Sequence, residues 1–378
     1  MRTRMRFSAL ALFAALCLSH AAFALDFSPW QLKGRFIVPG NYAVLDNGDV
    51  TAQTWSDRDG GGDFHYLTWW HEGNILREIP LSWDENRHYL LIPRSGGACA
   101  ALSWEQSLEP QQDGTSRVYR RNIILSRWDD AGLTEEKAFP GNFLSVISMN
   151  GGFALGEGAD AGLTLHAYDA SGEALDDMIL PAGSMPAGLK KDGPGSYWAL
   201  SRDTDGGYSV RRFASKKEGW SRSFPQSPAF FPDHNGGVYL CERLGSDATV
   251  YKPVEITHYD AEGRLLARRV LSSDRLVLSA AVRPDDETDG VLVYGMAVAH
   301  SRRQYHVYLL TLDSRMEQTA LSVRTIDYYR DYAPQPVYTE NGLYVFAGGG
   351  ETAGNDVPCA LVPFDALPQA DARLVSLR

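Results

Sequence analysis

The stretch "HYDAEGRLL" at 258–266 decides the fold, because the chain repeats it. A close copy, "HAYDASGEAL", stands at 166–175, and looser copies read "RWDDAGL" at 127–133 and "HEGNIL" at 71–76. In each phrase, Gly together with Asp, Asn or Glu forms a turn between two short apolar runs, which is typical of a β-hairpin. A phrase that recurs at intervals indicates a repeat architecture.

A second kind of turn alternates with the first along the chain. It follows a short apolar run and pairs Asn, Asp or Ser with Gly, as in "LDNGD" (45–49), "PRSGG" (93–97), "SMNGG" (148–152), "KKDGPG" (190–195), "DHNGG" (233–237), "ETDGV" (287–291) and "TENGL" (339–343). The hairpin phrase follows each one, centred on Gly73, Gly132, Gly172, Gly219 and Gly263, with degenerate copies at 309–316 and 361–368. Both kinds of turn therefore occur seven times.

The spacing of these turns predicts the content of each repeat. From Gly48 to Gly342 the period is about 49 residues, which is room for four strands of ordinary length with their loops. We label them A to D, with the first turn joining A to B and the hairpin phrase joining C to D. In the fifth repeat, strand A is expected near 229–233, B at "GVYLCER", C at "PVEITHY" and D at "RLLARRVL".

On this period, turn chemistry and strand pattern, the chain resembles a seven-bladed β-propeller. Such a fold is all-β, with four-stranded antiparallel blades packed around an axis so that each sheet face is covered by a neighbour. The alternative is a β-sandwich array or two β domains. One propeller domain is expected over 25–378, with blades near 41–81, 88–139, 144–180, 186–224, 229–271, 277–323 and 335–377. Either the C-terminal "ARLVSLR" or the N-terminal "LKGRFIVP" (32–39) would complete the last blade.

The repeated turn residues are assigned structural roles. Asp260 is expected to accept hydrogen bonds from backbone N–H groups two residues on, and Gly263 to take a positive φ. Tyr259 would fill the space between blades, and His258 would pack there too. The Asp residues of these phrases, Asp169 and Asp260, are therefore not candidates for catalytic acids.

The first 24 residues are predicted to be a secretory signal peptide. Arg2, Arg4 and Arg6 precede an apolar run too short to span a bilayer, and the small-residue motif Ala22-Phe23-Ala24 predicts cleavage after Ala24. The predicted location is periplasmic or secreted, without a transmembrane segment. The net charge of −11 excludes nucleic acid as a favoured partner, since that field repels phosphates. Cys99, Cys241 and Cys359 show no pairing pattern and are expected to be buried apolar residues.

Three loops are candidate sites on the face that carries the B–C and D–A loops, where the resemblance implies ligand binding. Before the last blade, the "RTIDYYRDYAPQP" segment (324–336) gathers residue types favoured at binding surfaces, namely Tyr328, Tyr329, Arg330, Asp331 and Tyr332. In "AHSRRQYH" (299–306), Arg302 and Arg303 would receive a carboxylate or phosphate, or simply be solvated. In "SDRDGGGD" (56–63), Asp57, Asp59 and Asp63 would bind Ca²⁺, or form a solvated hairpin.

No enzyme signature accompanies the repeats: GxSxG, HExxH and P-loop motifs are all missing. The sequence therefore favours an exported scaffold that binds a protein or glycan through the loop face, as a monomer or as part of an envelope complex, without a cofactor unless Ca²⁺ is one. The first alternative is a hydrolase or lyase with His88, Asp233 or His234 in the central funnel. The second is a structural subunit of an envelope assembly.

Overall fold

The computed structural model describes most of the chain, and all its regular elements there are β-strands. The described residues are 30–32, 36–58, 62–72, 74–81, 87–111, 116–129, 132–159, 162–233, 235–245, 252–273, 276–285, 288–299, 304–327, 335–339, 342–346, 357–362 and 376–377. Within these ranges no helix has the length and apolar character to span a bilayer. The predicted leader lies outside them.

The strands follow one another in groups of four. After β1 (Trp30–Leu32), the first group contains β2 (Phe36–Val44), β3 (Val50–Arg58), β4 (Gly62–His71) and β5 (Asn74–Pro80). The second contains β6 (Arg87–Arg94), β7 (Ala98–Pro110), β8 (Ser116–Asp129) and β9 (Gly132–Phe139). The third contains β10 (Ser145–Met149), β11 (Gly152–Ala159), β12 (Gly162–Asp169) and β13 (Ala174–Pro181). The fourth contains β14 (Met185–Gly193), β15 (Ser196–Arg202), β16 (Tyr208–Ala214) and β17 (Lys217–Phe224).

The second half of the chain continues this order. The fifth group contains β18 (Ala229–Pro232), β19 (Val238–Arg243), β20 (Val254–Tyr259) and β21 (Leu265–Ser272). The sixth contains β22 (Leu276–Leu278), β23 (Ala281–Pro284), β24 (Val291–Ala299), β25 (Gln304–Leu312) and β26 (Gln318–Asp327). The last contains β27 (Gln335–Thr339), β28 (Gly342–Phe346) and β29 (Val357–Val362), and β30 (Ser376–Leu377) ends the chain. The four strands predicted for the fifth repeat are confirmed by β18 to β21.

Consecutive strands pair antiparallel in every group except the sixth, where β22 and β23 both pair with β24. The described strands form six sheets. One of them has eight strands, because the third and fourth groups are joined by a single parallel bridge between Met149 of β10 and Leu189 of β14. The chain ends join sheets that are distant in sequence: β1 pairs with β29, while β30 pairs with β21 of the fifth group. Residues 30–32 thus complete the last sheet, but residues 36–39 of the predicted closing segment belong to β2 in the first sheet. The C-terminal segment adds to the fifth sheet and not to the last one.

Several second strands, β7, β11, β15, β19 and β24, bury apolar side chains on both faces, and these side chains build much of the core. In β15 the side chains alternate: Tyr197 and Ala199 pack with the third group, while Trp198 and Leu200 pack with the fifth. Successive residues of a strand point to opposite sides of the sheet, so such a strand needs a neighbour on each side. An unbroken apolar run is the sequence consequence.

Five buried clusters join successive groups, from the first to the sixth. They centre on Trp69 with Trp128, Phe139 with Phe153, Leu165 with Tyr197, Trp198 with Tyr259, and Ile256 with Tyr308. The first strands of neighbouring groups also contact one another, as β2 does with β6 and β14 with β18. Sheets stacked face to face with their first strands adjacent form a β-propeller, in which the first strand of each sheet is the inner one.

The turns confirm the predicted roles, with one exception. Gly172 and Gly263 have φ values of 84° and 81°, and Met316 takes the same place at 59°. In the fourth group, however, the C–D turn lies at Ser215 and Lys216, with φ values of 50° and 69°, and not at Gly219, which is inside β17. Two non-glycine residues in the left-handed region make a tight two-residue hairpin, so the glycine spacing alone was misleading there.

Gly263 is required for a second reason, which is close packing between sheets. A Cβ at this position would stand 1.8 Å from the Trp220 ring of the fourth group. The turn of one sheet therefore rests directly on the outer strand of the preceding sheet. Only a residue without a side chain permits this approach.

Candidate binding sites

The carboxylates of the C–D turns accept hydrogen bonds from backbone groups of the same turns. Asp260 Oδ1 accepts hydrogen bonds from the backbone N–H groups of Glu262 (3.0 Å) and Arg264 (2.8 Å). Asp169 and Asp313 have the same two partners in their own turns, at 2.8–2.9 Å. These bonds outweigh the effect of burial, which acts the other way, and they hold the pKa of Asp260 and Asp169 below the usual range. Their predicted structural role is confirmed.

Asp233, a candidate acid for the hydrolase alternative, likewise makes hydrogen bonds that hold its own turn. It is buried and follows β18, where its Oδ1 accepts from the N–H groups of Asn235 (2.7 Å) and Gly237 (2.6 Å). His258 Nε2 donates to its Oδ2 at 2.6 Å, and the His258 ring stacks on Tyr239 with centroids 4.1 Å apart. Burial alone would raise the pKa of Asp233, but these hydrogen bonds outweigh it and lower the pKa. All three bonds stabilise the charged carboxylate in place, which is a structural role.

The first group has a related arrangement. Asp49 is buried and accepts from Trp69 Nε1 at 2.8 Å and from His71 Nδ1 at 2.6 Å. The bond to Asp49, followed by the charge of that carboxylate, raises the pKa of the exposed His71. His71 and His258 thus each bond an Asp of the first kind of turn, Asp49 directly before β3 and Asp233 directly after β18.

His88, the other described candidate of the hydrolase alternative, lies on β6 away from these carboxylates. Its ring stacks on Trp104 with centroids 5.8 Å apart. Burial, and next the charge of Arg120, lower the pKa of His88. His234 lies outside the described residues. His88 and Asp233 are therefore not brought together as an acid–base pair.

The hairpin of β7 and β8 is longer than its counterparts and projects from the B–C side. The strands have 13 and 14 residues, against 6 each for β19 and β20. Beyond a register shift after Ser103, six residue pairs continue from Glu105–Arg121 to Pro110–Ser116, which extends the hairpin by about 20 Å. We call residues 105–110 and 116–121 the hairpin arm. Its Leu108 is 67% exposed.

The base of the hairpin arm is anchored to the loop before β10. Arg120 and Phe143 exchange backbone hydrogen bonds of 2.7 and 2.9 Å, and Arg121 Nε donates to Asn142 Oδ1 at 2.5 Å. Asn122, with a φ of 50°, lies at the register shift at the base of the hairpin arm. An exposed leucine on a braced β-ribbon presents apolar surface with little conformational freedom to lose on binding.

A second concentration of unusual side chains lies on the inner strands. Lys190 of β14 lies over the Phe231 ring of β18 at 5.2 Å, and Arg283 of β23 lies 5.8 Å from the same ring. Arg283 also lies 3.9 Å over the ring of Tyr338 on β27. Four successive inner strands thus contribute alternating cations and rings, which we call the inner-strand cluster: Lys190, Phe231, Arg283 and Tyr338. Tyr294 adjoins it, 5.6 Å from Tyr338.

The inner-strand cluster is not among the residues that the sequence singled out. Its members lie near the ends of inner strands that lead into the first kind of turn, whereas the sequence directed attention to the opposite loops. A signal was present: Phe231 and Arg283 each stand two residues before the Asp that follows their strand, so the repeats differ at a matched position. The contacts between these side chains depend on how the sheets pack, so the sequence alone does not predict them.

The loop residues predicted to bind a partner fall outside the described residues. These are Tyr328, Tyr329, Arg330, Asp331 and Tyr332, with Arg302 and Arg303; the strand bounds place them between β26 and β27 and between β24 and β25. Of the predicted Ca²⁺ ligands, Asp57 and Asp63 are opposite each other in the hairpin of β3 and β4, and Asp59 is outside. Among the described residues no group of His, Cys, Asp and Glu is placed to hold a metal ion.

The expectation for the cysteines is confirmed where it can be followed. Cys99 and Cys241 are buried and unpaired. Burial raises the pKa of Cys99 to about 11 and that of Cys241 further. Such thiols behave as small apolar side chains. Cys359 lies on β29, and its side chain is outside the described part of the chain.

Comparison with known proteins yields similar solved structures but no matching family model or curated protein. Among solved structures, BamB from Moraxella catarrhalis has a TM-score of 0.40 at 10% identity, covering 87% of this chain and 98% of that one. BBS1N in complex with ARL6DN has a TM-score of 0.43 at 12% identity, covering 90% and 99%. The WD40 domain of SCAP from fission yeast has 0.42 at 7%, covering 88% and 93%. The propeller arrangement itself stands on the strand pairing described above.

Proposed function

We propose that this chain is an exported, seven-bladed β-propeller that serves as a scaffold and binds a protein partner through its B–C and D–A loop face. Seven blades follow if the eight-stranded sheet counts as two, since one parallel bridge is all that joins its halves. Export rests on the predicted leader at 1–24, and the protein isolated from its host should then begin at Leu25.

The hairpin arm carries the proposal of partner binding. It projects from the proposed binding face, it is braced against 142–143, and it exposes Leu108. On the opposite face of the ribbon from Leu108, Arg121 Nη2 pairs with Glu109 at 2.5 Å and the Arg121 guanidinium lies 5.6 Å from the Tyr119 ring centroid. The hairpin arm thus presents an exposed leucine on one face and arginine with tyrosine on the other, and arginine and tyrosine are enriched at protein interfaces.

Site-specific photo-crosslinking in the producing cell tests this proposal. A photoreactive amino acid at Leu108 should give a discrete protein adduct, whereas the same group at Glu262, in a C–D turn on the opposite face, should give none. The partner identified in this way should bind the Leu108→Asp variant at least about 10-fold more weakly, which corresponds to about 1.4 kcal/mol.

Leu265→Asp is the matched control, because Leu265 is also an exposed leucine, 52% accessible, but lies on the outer strand β21. Its partner affinity should stay unchanged. Adducts of equal yield at positions 108 and 262, or the absence of any adduct at 108, would contradict the proposal.

A further inference from the structure

The inner-strand cluster places two cations around one ring. Lys190 and Arg283 both lie within 6 Å of the Phe231 centroid. The chain as a whole has a net charge of −11, so two cations that approach one ring from the inner strands on either side of it run against its composition. Like charges held close together raise the free energy of the folded state unless something of opposite sign lies between them.

Lys190 is the member whose charge has least support from the protein. Burial, and next the charge of Arg283, lower its pKa. Among the described residues its ammonium makes no ion pair or hydrogen bond, and the Phe231 ring is what lies beneath it. An ammonium group has three donors to satisfy, and a ring face satisfies them less well than an anionic oxygen does.

Arg283 supplies directional donors beside this ammonium. The central carbon of its guanidinium lies over Tyr338 at 3.9 Å from the ring centroid, and its Nε donates to the carbonyl of Pro284 at 3.4 Å. A guanidinium stacked on a ring keeps N–H groups in its own plane, where they match the oxygens of carboxylate or phosphate. Both Lys190 and Arg283 are partly exposed, so a small ligand can reach them.

We propose that the inner-strand cluster is an anion-binding site, in which Lys190 and Arg283 together bind a carboxylate or phosphate group and the rings of Phe231 and Tyr338 contact the rest of the ligand. An anion bound by both groups would offset the repulsion between them. This site is separate from the hairpin arm and does not depend on the proposed partner.

Calorimetric titration of the purified protein with citrate, and separately with inorganic phosphate, at constant ionic strength tests the site. We expect saturable binding of at least one probe, and the probe that binds more tightly identifies the ligand class. Lys190→Met and Arg283→Met should each weaken that binding 10-fold or more. Lys190→Arg, which keeps the charge, should restore most of it.

Lys191→Met is the matched control, since this neighbouring residue of β14 points to the other side of the sheet. It should leave the affinity unchanged, as should Leu108→Asp in the hairpin arm. Melting temperatures of all variants verify that they are folded. Failure of both probes to saturate, or equal loss in Lys190→Met and Lys191→Met, would overturn the proposal.

Discussion

The turn carboxylates and the inner-strand cluster both lie at or near turns of the repeats, but the protein stabilises their charges to different extents. Asp169, Asp233 and Asp260 each accept at least two hydrogen bonds at 2.6–3.0 Å from their own turns. Lys190, by contrast, is held against a ring and near another cation. A fully hydrogen-bonded charge stabilises the folded structure. A charge with few stabilising contacts indicates a position where a requirement other than stability also acts.

The largest effect is expected at the turn that packs most tightly. Gly263→Ala should lower the free energy of unfolding by about 2–5 kcal/mol, because the left-handed φ and the collision with Trp220 add together. Chemical denaturation measures it. Gly206→Ala is the control: this glycine has a φ of 87° but no heavy atom within 4 Å of the added Cβ, so the cost should be about 1–2 kcal/mol. Equal losses in both variants would mean that contact between the sheets contributes nothing.

Asp233→Ala should cause the next largest loss of stability. Its removal leaves the N–H groups of Gly237 and Asn235 and the ring of His258 without their acceptor, and we expect a loss of about 3 kcal/mol in denaturation experiments. Asp233→Asn keeps an oxygen for the backbone donors and should lose about 1 kcal/mol. A loss as small for Ala as for Asn would contradict the assignment of these bonds to stability.

Lys190→Met should raise the free energy of unfolding, whereas the substitutions in the turns lower it. Removing a poorly supported charge while keeping an apolar chain on Phe231 should raise the free energy of unfolding by about 1 kcal/mol. Thermal denaturation without added anion detects the change, and Lys191→Met should stay near the wild-type value. A destabilised Lys190→Met protein would show instead that this lysine serves the fold, as the turn carboxylates do.

The smallest effect is a pH dependence from His71. Its pKa is raised by the bond to Asp49, so the stabilisation is complete below the unfolded pKa of about 6.5 and is lost as the pH rises through the folded value. Because His71 is exposed, solvent screens the interaction. The wild type should therefore gain slightly over His71→Gln at about pH 5.5 relative to about pH 8.5. A constant difference between the two proteins would rule out this titration.

The repeat made most of the fold predictable. The phrase around Asp260 and Gly263 specifies a local turn whose bonds close within five residues, so its geometry does not depend on distant parts of the chain. The same reasoning failed at Gly219, because Ser215 and Lys216 adopt left-handed φ values that sequence composition does not favour. Strand order was predictable as well, since hairpins join neighbours in sequence.

Contacts between repeats could not be predicted in the same way. The meeting of Lys190, Phe231, Arg283 and Tyr338 joins four sheets, and the pairing of β1 with β29 joins the two ends of the chain. The hairpin arm is braced by Phe143, which belongs to a different turn of the chain. None of these contacts leaves a period or a local motif in the sequence.

The sequence by itself therefore determined the all-β repeat, its turns and the structural use of the turn carboxylates, because each depends on residues close together in the chain. Only the tertiary structure decided how the chain ends attach, where the hairpin arm is braced and which cations come together on the inner strands. Those features depend on side chains tens to hundreds of residues apart, and their positions are set only when the sheets pack against one another.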